Sequence, residues 1–391
     1  MGVRPGYKQT EVGVIPEDWE VENLQNVCRE PITYGIVQCG PHVRDGVPYV
    51  RVSDMDSQEL SVDGMLRTSK VIAAKFGRST VAAGDLVYAL RGKVGEVREV
   101  TTEITGANLT QGTARLSPGE KVASKYLLWA MRHPGTVQQA SLDAKGTTFR
   151  EITLADLRNL KILVPPPPEQ RAIAEALSDV DGLLAALDRL IAKKRDLKQA
   201  AMQQLLTGQT RLPGFHGEWE VKRLGDVCRI TTGKKDVNEG NPNGQFPFFT
   251  CSRSHTFSDS YSFDIEAILI AGNGDVGNLH YFKGKFEAYQ RTYILSEFTA
   301  YIFYLWQQLS ARLADTLGLG KIGSSIPYIK KENLIEFAFN SPQNTAEQIA
   351  IAQVLSDMDA ELAALEQRRD KTRLLKQAMM QELLTGRTRL I

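Results

Sequence analysis

Glycine-rich and charged motifs are the first place to look for chemistry in this sequence. Residues 272–277 read GNGDVG, which fits the G-x-G-x-x-G spacing of dinucleotide-binding loops. In a dinucleotide-binding fold, a helix begins directly after that loop. Here the residues that follow, NLHYFKGKFEAY, alternate like a strand. We therefore interpret the motif as a glycine-rich turn between strands.

Other signatures of catalysis are missing from the sequence. No Gly-Lys pair is followed by the Ser or Thr of a P-loop, and no Asn-Pro-Pro-aromatic motif for amino-group methylation occurs. The five histidines are scattered, and the four cysteines form no C-x-x-C pair. We interpret the histidines as surface or loop residues and the cysteines as core residues of a reducing compartment. The sequence therefore predicts a non-enzymatic chain with no metal site and no cofactor of its own.

Length and composition indicate a globular protein of two to three domains. The chain has 391 residues, of which 42% are hydrophobic and 24% charged, with a net charge of +1. Because bases do not outnumber acids in either globular region, any basic face must be local. The N-terminus has no apolar run, and no segment approaches membrane-spanning length. We expect a cytoplasmic protein that does not contact a membrane.

The strongest pattern is a long-range internal repeat. Residues 169–212 and 347–390 are identical at 28 of 44 positions, at a constant offset of 178. The preceding segments repeat more weakly: Trp19-Glu20-Val21, for example, recurs as Trp219-Glu220-Val221. The offset between matching residues changes along these segments, so insertions and deletions must lie in the loops. This is typical of one framework that carries different recognition loops.

The repeat is also circular. The first repeated segment runs through LLTGQTRLPGFHGEWEV into the next domain, whereas the second ends with LLTGRTRLI. The segment that should follow the second copy, GVIPEDWEV, stands near the N-terminus instead. This arrangement predicts that the N- and C-termini lie close together.

These patterns predict a mixed α/β (α+β) fold in four parts. Residues 1–164 and 213–344 contain short β-type runs and should form two globular domains. Residues 165–212 and 345–391 should form helical spacers, the first beginning after Pro165–Pro168 and the helices ending near Gly208 and Gly386.

The apolar residues of both helices follow the 4-3-4-3 spacing of a coiled-coil seam. A two-fold relation between the copies makes the helices antiparallel partners, each roughly 55–60 Å long. The alternative is that each helix packs on its own globular domain. Further along, the register shifts toward Leu197, Ala201 and Leu205, and toward Leu375, Met379 and Leu383. The predicted seam comprises Ile173, Leu177, Val180, Leu184, Leu187 and Ile191 in the first helix, and Ile351, Leu355, Met358, Leu362 and Leu365 in the second.

Both helices also carry a basic cluster. It is either a solvated face balanced by nearby acids or a contact to a nucleic-acid backbone or a partner subunit. The members are Lys193, Lys194, Arg195 and Lys198, and then Arg368, Arg369, Lys371, Arg373 and Lys376.

Two divergent domains alternating with two near-identical helices resemble the DNA-specificity (S) subunit of type I restriction-modification systems. The resemblance covers essentially the whole chain. It rests on the opening YKQTEVGVIPEDWEV, on EQxAIAxxLSDxD at each helix start and on LLTGxTRL at each helix end. It implies that each globular domain is a target-recognition domain that reads one half of a split, asymmetric DNA target.

The resemblance also implies the partners. The helices would set the spacing and dock two methyltransferase (M) subunits, and restriction/translocase (R) subunits would complete the complex. S-adenosylmethionine, ATP and Mg would be needed only in those partners. Half-sites on one face of DNA lie roughly 34–36 Å apart or a multiple of it, a span that a rigid helix pair could bridge. The alternative function is a non-enzymatic coiled-coil adaptor that holds two protein-binding domains.

The candidate DNA contacts are loop residues at repeat-equivalent places, because loops on one framework are where specificity can vary. Taken singly, each is more simply a solvent-exposed loop side chain; as a set they should include DNA contacts. In the first domain they are Arg91, Lys93, Thr147, Thr148, Arg150, Tyr34 and Arg44. In the second they are Asn273, Asp275, Lys321, Ser324, Ser325, Lys234, Lys235 and Arg253.

Overall fold

The fold is taken from a computed structural model, which describes residues 4–57, 59–144, 150–316 and 328–390. It combines sheets and helices, as the sequence predicts. Within these ranges, no helix is both long enough and apolar enough to span a membrane.

The chain forms two compact units, and both long helices are divided between them. The first unit comprises Met1–Leu187 and Arg368–Ile391, and the second comprises Asp188–Gln367. Each unit therefore contains one globular domain, the first part of the helix that follows it and the last part of the other helix. These units cut across the four-part division predicted from the sequence, because the helix segments pack onto the domains rather than apart from them.

The first unit contains eleven described strands and five described helices. The strands are β1 (Tyr7–Thr10), β2 (Gly13–Pro16), β3 (Glu20–Asn23), β4 (Thr33–Tyr34), β5 (Val47–Val50), β6 (Arg67–Thr68), β7 (Leu86–Ala89), β8 (Val97–Glu99), β9 (Asn108–Leu109), β10 (Thr113–Leu116) and β11 (Lys161–Val164); the helices are α1 (Lys70–Lys75), α2 (Ser124–Arg132), α3 (Pro134–Asp143), α4 (Leu154–Asn159) and α5 (Pro167–Leu205), of which residues up to Leu187 belong to this unit. Short 3-10 helices lie at Leu24–Val27, Val52–Met55, Gly77–Ser79 and Thr102–Ile104.

The main sheet of the first unit has the strand order β4–β10–β7–β8, and a second sheet has the order β6–β5–β9. β1 pairs with β2, and β3, just after Trp19, pairs antiparallel with β11, just before the first long helix.

The second unit repeats this scheme with a larger sheet. The strands are β12 (Trp219–Arg223), β13 (Arg229–Thr232), β14 (Phe246–Phe249), β15 (Thr256–Ser258), β16 (Phe263–Ala271), β17 (Leu279–Ala288), β18 (Thr292–Ser296) and β19 (Ala338–Pro342); the helices are α6 (Leu224–Val227), α7 (Ile302–Thr316), α8 (Lys331–Ile335) and α9 (Thr345–Leu383), of which residues from Arg368 belong to the first unit. A 3-10 helix lies at Val237–Glu239.

The large sheet of the second unit has the strand order β13–β18–β16–β17–β14–β15. β12, which begins at Trp219, pairs antiparallel with β19, which precedes the second long helix.

A strand buried on both faces divides the core of each unit. In β7, Leu86 and Tyr88 face one apolar cluster, and Val87 and Ala89 face another. In β16 the residues around Ile268 alternate between two clusters in the same way. Because successive side chains of a strand point to opposite faces, a run without polar residues is required at this place. That explains the β-type runs GDLVYAL and EAILIAG.

Both long helices begin and end close to their predicted limits. Proline occupies the first helical position of α5, where a missing N–H costs nothing. Gly208 and Gly386 follow the helix ends with φ of +76° and +71°, the left-handed conformation in which glycine carries no steric penalty. At Gly386 a Cβ would also lie 2.5 Å from Pro16 Cδ, so a larger residue is excluded there.

Within each unit the two helix segments run antiparallel and share a core with the globular domain. In the first unit, Ile173 and Leu177 of α5 pack in one cluster with Met380 and Leu383 of α9. In the second, Leu205 of α5 packs in one cluster with Ile351 and Leu355 of α9. The helices therefore both pair with each other and pack on the domains, so the two alternatives raised by the sequence hold together.

The burial of the seam residues is uneven. The predicted continuation of the register is wrong at Leu197 and Leu375, because these side chains are 48% and 54% exposed. The adjacent Lys198 and Lys376 form ion pairs at those turns instead. The continuation is confirmed at the buried Leu205 and Leu383 and at the half-buried Ala201 and Met379. The buried seam residues are Ile173, Leu177, Leu184, Leu187, Ile191, Ile351 and Leu355, and the half-buried ones are Val180, Met358, Leu362 and Leu365.

The two ends of the chain meet in the first unit, which confirms the prediction from the circular repeat. The Tyr7 hydroxyl donates to the Gly386 carbonyl oxygen at 2.9 Å. Arg389 forms an ion pair with Asp18 at 2.7 Å. The first strands and the end of the second helix are therefore parts of one packed unit.

Candidate nucleic-acid interface

Each unit holds its helix segments by the same buried ion pair. In the first unit, Arg389 Nε donates to Glu169 Oε1 at 2.7 Å. In the second, Arg211 Nε donates to Glu347 Oε1 at 2.8 Å. Both glutamates are fully buried. The pairing raises the pKa of each arginine, and Arg389 also lowers the pKa of the nearby Asp18 carboxyl. The arginine after one helix thus binds the glutamate at the start of the other, and we call each pair a latch.

A buried glutamine next to each latch fixes the helix start to its domain. Gln170 accepts from the Ala123 amide at 2.8 Å and donates to the Pro165 carbonyl at 2.8 Å. Gln348 accepts from the Tyr301 amide and donates to the Pro342 carbonyl, both at 2.9 Å. These partners are backbone atoms, so their side chains can change without breaking the contact. The paired Glu-Gln of each helix therefore serves as a mount for a variable domain.

A further equivalent contact joins the helix segments within each unit. Lys376 pairs with Asp181 in the first unit, and Lys198 pairs with Asp359 in the second. Other members of the basic clusters are also matched by acids: Lys194 pairs with Glu361 at 2.7 Å. For these lysines the structure supports a balanced helix face rather than a bare basic surface.

The variable part of each unit is an open pocket at an equivalent place. In the first unit the turn after β7 contributes Arg91, and in the second the turn after β16 contributes Asn273. The framing hydrogen bonds match: Ile152 N donates to Leu90 O at 2.9 Å, and Ile329 N donates to Gly272 O at 2.8 Å. The first pocket, of about 540 Å³, is lined by Ile36, Val37, Cys39, Val52, Arg91, Gly92, Thr110, Gln111, Gly112 and Glu151; the second, of about 370 Å³, is lined by Gly272, Asn273, Gln290, Arg291, Tyr293, Tyr328, Ile329, Lys330, Lys331 and Glu332.

Of the predicted contact residues, Arg91 lines the first pocket, and Lys93 and Arg150 are chain neighbours of its lining residues Gly92 and Glu151. Arg91 Nη2 lies 3.1 Å from Glu151 Oε1, and Lys93 pairs with Asp56. The exposed Arg150 is held beside them, because its carbonyl accepts from Gly92 N at 3.0 Å.

Tyr34 and Arg44, two further candidates of the first domain, do not line this pocket. Tyr34 lies on β4 with 36% of its surface exposed, and it precedes the pocket-lining Ile36. Arg44 is exposed on a separate loop.

In the second unit the candidates are more dispersed. Asn273 lines the second pocket, while Asp275 and the exposed Arg253 form a long ion pair of 4.0 Å beside it. Lys234 is exposed. Lys235 turns inward and donates to the hydroxyls of Ser258 at 2.9 Å and Ser260 at 2.7 Å.

The inward turn of Lys235 has an electrostatic reason. Its Nζ lies 3.7 Å from the carboxylate of Glu287, which is fully buried. A buried carboxylate without a cationic partner is strongly disfavoured. Lys235 therefore neutralises Glu287 within the domain, and this contact leaves it less available to DNA.

Sequence reasoning missed several exposed residues of the second pocket. Arg291, Lys330 and Lys331 are exposed there, and Tyr328 is 61% exposed. The signal for Tyr328 was its position, because it stands where the first half has Glu151. The predicted residues Thr147, Thr148, Lys321, Ser324 and Ser325 lie outside the described residues.

The part of the chain that the structure describes contains no group of three His, Cys, Asp or Glu side chains placed to hold a metal ion. What both pockets offer is hydrogen bonding. Their rims carry guanidinium, ammonium, amide and carboxylate groups, the side chains that contact phosphates and base edges in protein–DNA complexes.

The family comparison agrees with this geometry. The model of the type I restriction modification DNA specificity domain matches residues 16–194 and 216–374. The matches cover most of the chain, one for each globular domain and the start of its helix. The chain therefore belongs to the type I restriction modification DNA specificity family, and this membership favours a DNA reader over a protein-binding adaptor.

Individual relatives carry the same description. The type I restriction enzyme EcoDI specificity subunit of Escherichia coli is 33% identical over 168 residues, which cover 43% of this chain and 37% of that protein. The putative type I restriction enzyme MjaX specificity subunit of Methanocaldococcus jannaschii is 24% identical over 98% of this chain and 96% of its own length. The chain thus spans less than half of the Escherichia coli relative but nearly all of the archaeal one.

Solved structures show the same fold. The crystal structure of the type I restriction-modification system S subunit from M. genitalium has a TM-score of 0.64 at 16% identity, covering 98% of both chains. A chain from a structure of type I R-M complex assembly and conformational transition has a TM-score of 0.59 at 19% identity, covering 96% of this chain and 99% of that one.

Proposed function

We propose that this chain is the sequence-specific DNA-recognition subunit of a type I restriction-modification complex. Each globular domain reads one half of a bipartite DNA target. The supporting observation is that the latches and glutamine mounts are the same in both units, whereas the pockets at equivalent places carry different side chains. Because different side chains read different base edges, the two halves of the target differ and the target is not a palindrome.

The helices set the spacing of the two half-sites and dock two methyltransferase subunits. In support, both units expose leucines on their helix segments, and these are apolar side chains that a docked subunit could cover. Restriction/translocase subunits complete the complex. The exposed helix leucines are Leu183, Leu374 and Leu375 in the first unit and Leu190 and Leu197 in the second.

The chain itself carries out no reaction. S-adenosylmethionine, ATP and Mg act in the partner subunits, and this chain contributes hydrogen bonds and charge to DNA. We expect the purified chain with S-adenosylmethionine to methylate no DNA.

The test is to map methylated adenines in a host that carries this chain together with its methyltransferase subunits. We expect one motif with two unequal specified halves separated by unspecified bases. A matched host that lacks only this chain should show no such motif. A palindromic motif, or the same motif without this chain, would contradict the proposal.

A second measurement separates the reader from the adaptor. The purified chain, without methyltransferase subunits, should bind duplex DNA with an affinity that falls steeply as salt rises, because phosphate contacts release counterions. An adaptor for two proteins should show no DNA affinity of this kind.

A further inference from the structure

Resting on the proposed DNA recognition, we propose that Arg91 is the residue that specifies a G·C base pair in the half-target of the first unit, with Glu151 as its positioning residue. The guanidinium would donate two hydrogen bonds to guanine in the major groove. Three features of Arg91 support this role: its rigid placement, the orientation of its N–H groups and the acid beside it.

The backbone around Arg91 is held on both sides. Leu90 N donates to Gly112 O at 2.9 Å, and Ile152 N donates to Leu90 O at 2.9 Å. The stem of the side chain lies against Gly112, where an added Cβ would come within 3.4 Å of Arg91 Cγ. A side chain fixed by packing loses little entropy when it binds. Arg91 is therefore placed for a defined contact rather than for a loose charge interaction.

The orientation of the guanidinium leaves its outer end available. Nε is buried, and no described protein atom accepts from it. One Nη2 hydrogen bond goes to Glu151 at 3.1 Å. Arginine has five N–H donors in a planar fork, so the remaining Nη donors lie at the outer end of the side chain, which is 40% exposed. Two donors in one plane match the O6 and N7 acceptors of guanine.

The acids at this pocket argue against a phosphate clamp. A carboxylate near the DNA backbone repels it, and here both cations of the turn are already matched: Arg91 by Glu151 and Lys93 by Asp56. A carboxylate is useful at the base edges, where it can hold an arginine in plane and accept from the cytosine amino group. The second pocket differs in this respect, because Tyr328 stands at the position of Glu151 and three exposed cations line it beside one acid, Glu332.

The experiment compares methylation motifs of the complete complex containing Arg91→Ala, Arg91→Gln and Lys93→Ala. For Arg91→Ala we expect one G·C position in one half to become unspecified while the other half is unchanged. For Arg91→Gln we expect preference at that position to move toward adenine, which glutamine contacts bidentately. Lys93→Ala is the matched control on the same turn. Because Asp56 already pairs with Lys93, methylation should change by the same factor at all sites, with the motif intact.

Binding measurements keep the test decisive if Arg91→Ala methylates too weakly to map. The wild-type complex should bind the duplex with this G·C pair more tightly than a duplex in which another base pair replaces it. The difference in affinity should be roughly 5- to 150-fold, the discrimination of one bidentate contact. The Arg91→Gln complex should lose that preference while binding both duplexes. Glu151→Gln, which keeps the shape of the positioning residue, should lower the preference without abolishing it.

Three results would overturn the proposal. They are an unchanged motif with Arg91→Ala, a uniform loss of methylation identical to that of Lys93→Ala, and relaxation in both halves. These results are distinct from failure of the proposed function, which would show in the wild-type complex as the lack of any bipartite motif.

Discussion

Two regions of the molecule differ in how well they repeat between the units. The contacts that hold the helices are the same in both units, whereas the residues that line the pockets are different. Glu169 with Arg389 and Glu347 with Arg211 form the same buried pair in the two units. At the pockets, by contrast, Glu151 of one unit corresponds to Tyr328 of the other. The chain thus keeps identical the residues that mount a domain and varies those that face outward. This is how one scaffold can carry two different readers.

The latches themselves are not perfect copies. Trp19 Nε1 donates to Glu169 at 2.9 Å, so this carboxylate has an additional donor. Trp219 Nε1 is buried without a hydrogen-bond partner among the described residues, and the hydrogen bonds to the Glu347 carboxylate come from Arg211. The ion pair is therefore the shared element, and the tryptophan contact is an addition in the first unit.

The largest effect is expected for a charge placed in the buried part of the seam. Leu184 is 9% exposed. Leu184→Asp should destabilise the chain by about 3–5 kcal/mol, because it leaves a buried carboxylate without a partner. Leu197→Asp, at an exposed position of the same helix, should change stability by less than about 0.5 kcal/mol. Denaturant unfolding measures both, and equal losses would show that burial does not distinguish the two positions.

The latches should differ in strength. Arg389→Ala should cost about 2 kcal/mol, the scale of a hydrogen bond to a buried charge, because Trp19 continues to donate to Glu169. The ion pair to Asp18 is lost as well, but it adds little because Asp18 is 49% exposed. Arg211→Ala should lower the free energy of unfolding by more than this, because Arg211 donates both hydrogen bonds to the Glu347 carboxylate. Adding Glu347→Gln to Arg211→Ala should restore part of the loss by removing the unpaired charge. A greater loss for Arg389→Ala would contradict this ranking.

A smaller difference is expected between the two Lys–Asp pairs. The Lys376 and Lys198 side chains are both 20% exposed. Lys376 Nζ also lies 4.8 Å from the centroid of the Trp129 ring. Lys376→Ala should therefore cost about 1 kcal/mol and Lys198→Ala about 0.5 kcal/mol. Unfolding experiments at low and high salt would check this, and indistinguishable losses would mean that the ring contributes nothing.

The sequence predicted the parts of the fold that depend on periodicity and repetition. Helix limits, the presence of β-type runs and the meeting of the chain ends follow from apolar spacing and from the circular repeat. The pattern failed at Leu197 and Leu375, because apolar spacing does not register a lysine that turns inward to meet an aspartate. The sequence does contain a signal for the latches, because the glutamate at each helix start and the arginine after each helix end are identical in both copies.

The candidate site was harder to predict, because loop side chains are placed by their neighbours. Lys235 was a candidate as an exposed cation, but Glu287, distant in sequence, draws it into the domain. Arg291 and Lys330 were missed because only the folded chain brings them to the same pocket as Asn273. Which loop cation faces outward depends on where the acids lie, and local sequence does not contain that information.

The most direct test is to exchange residues 213–344 for the corresponding domain of another specificity subunit and map methylated adenines with the full complex. This exchange leaves Arg211, Glu347 and Gln348 in place, and Gln348 binds backbone atoms of the incoming domain. We predict that one half of the target changes to that of the donor while the other half and its methylation are retained. A change in both halves, or in neither, would show that the two domains do not read DNA independently on a constant scaffold.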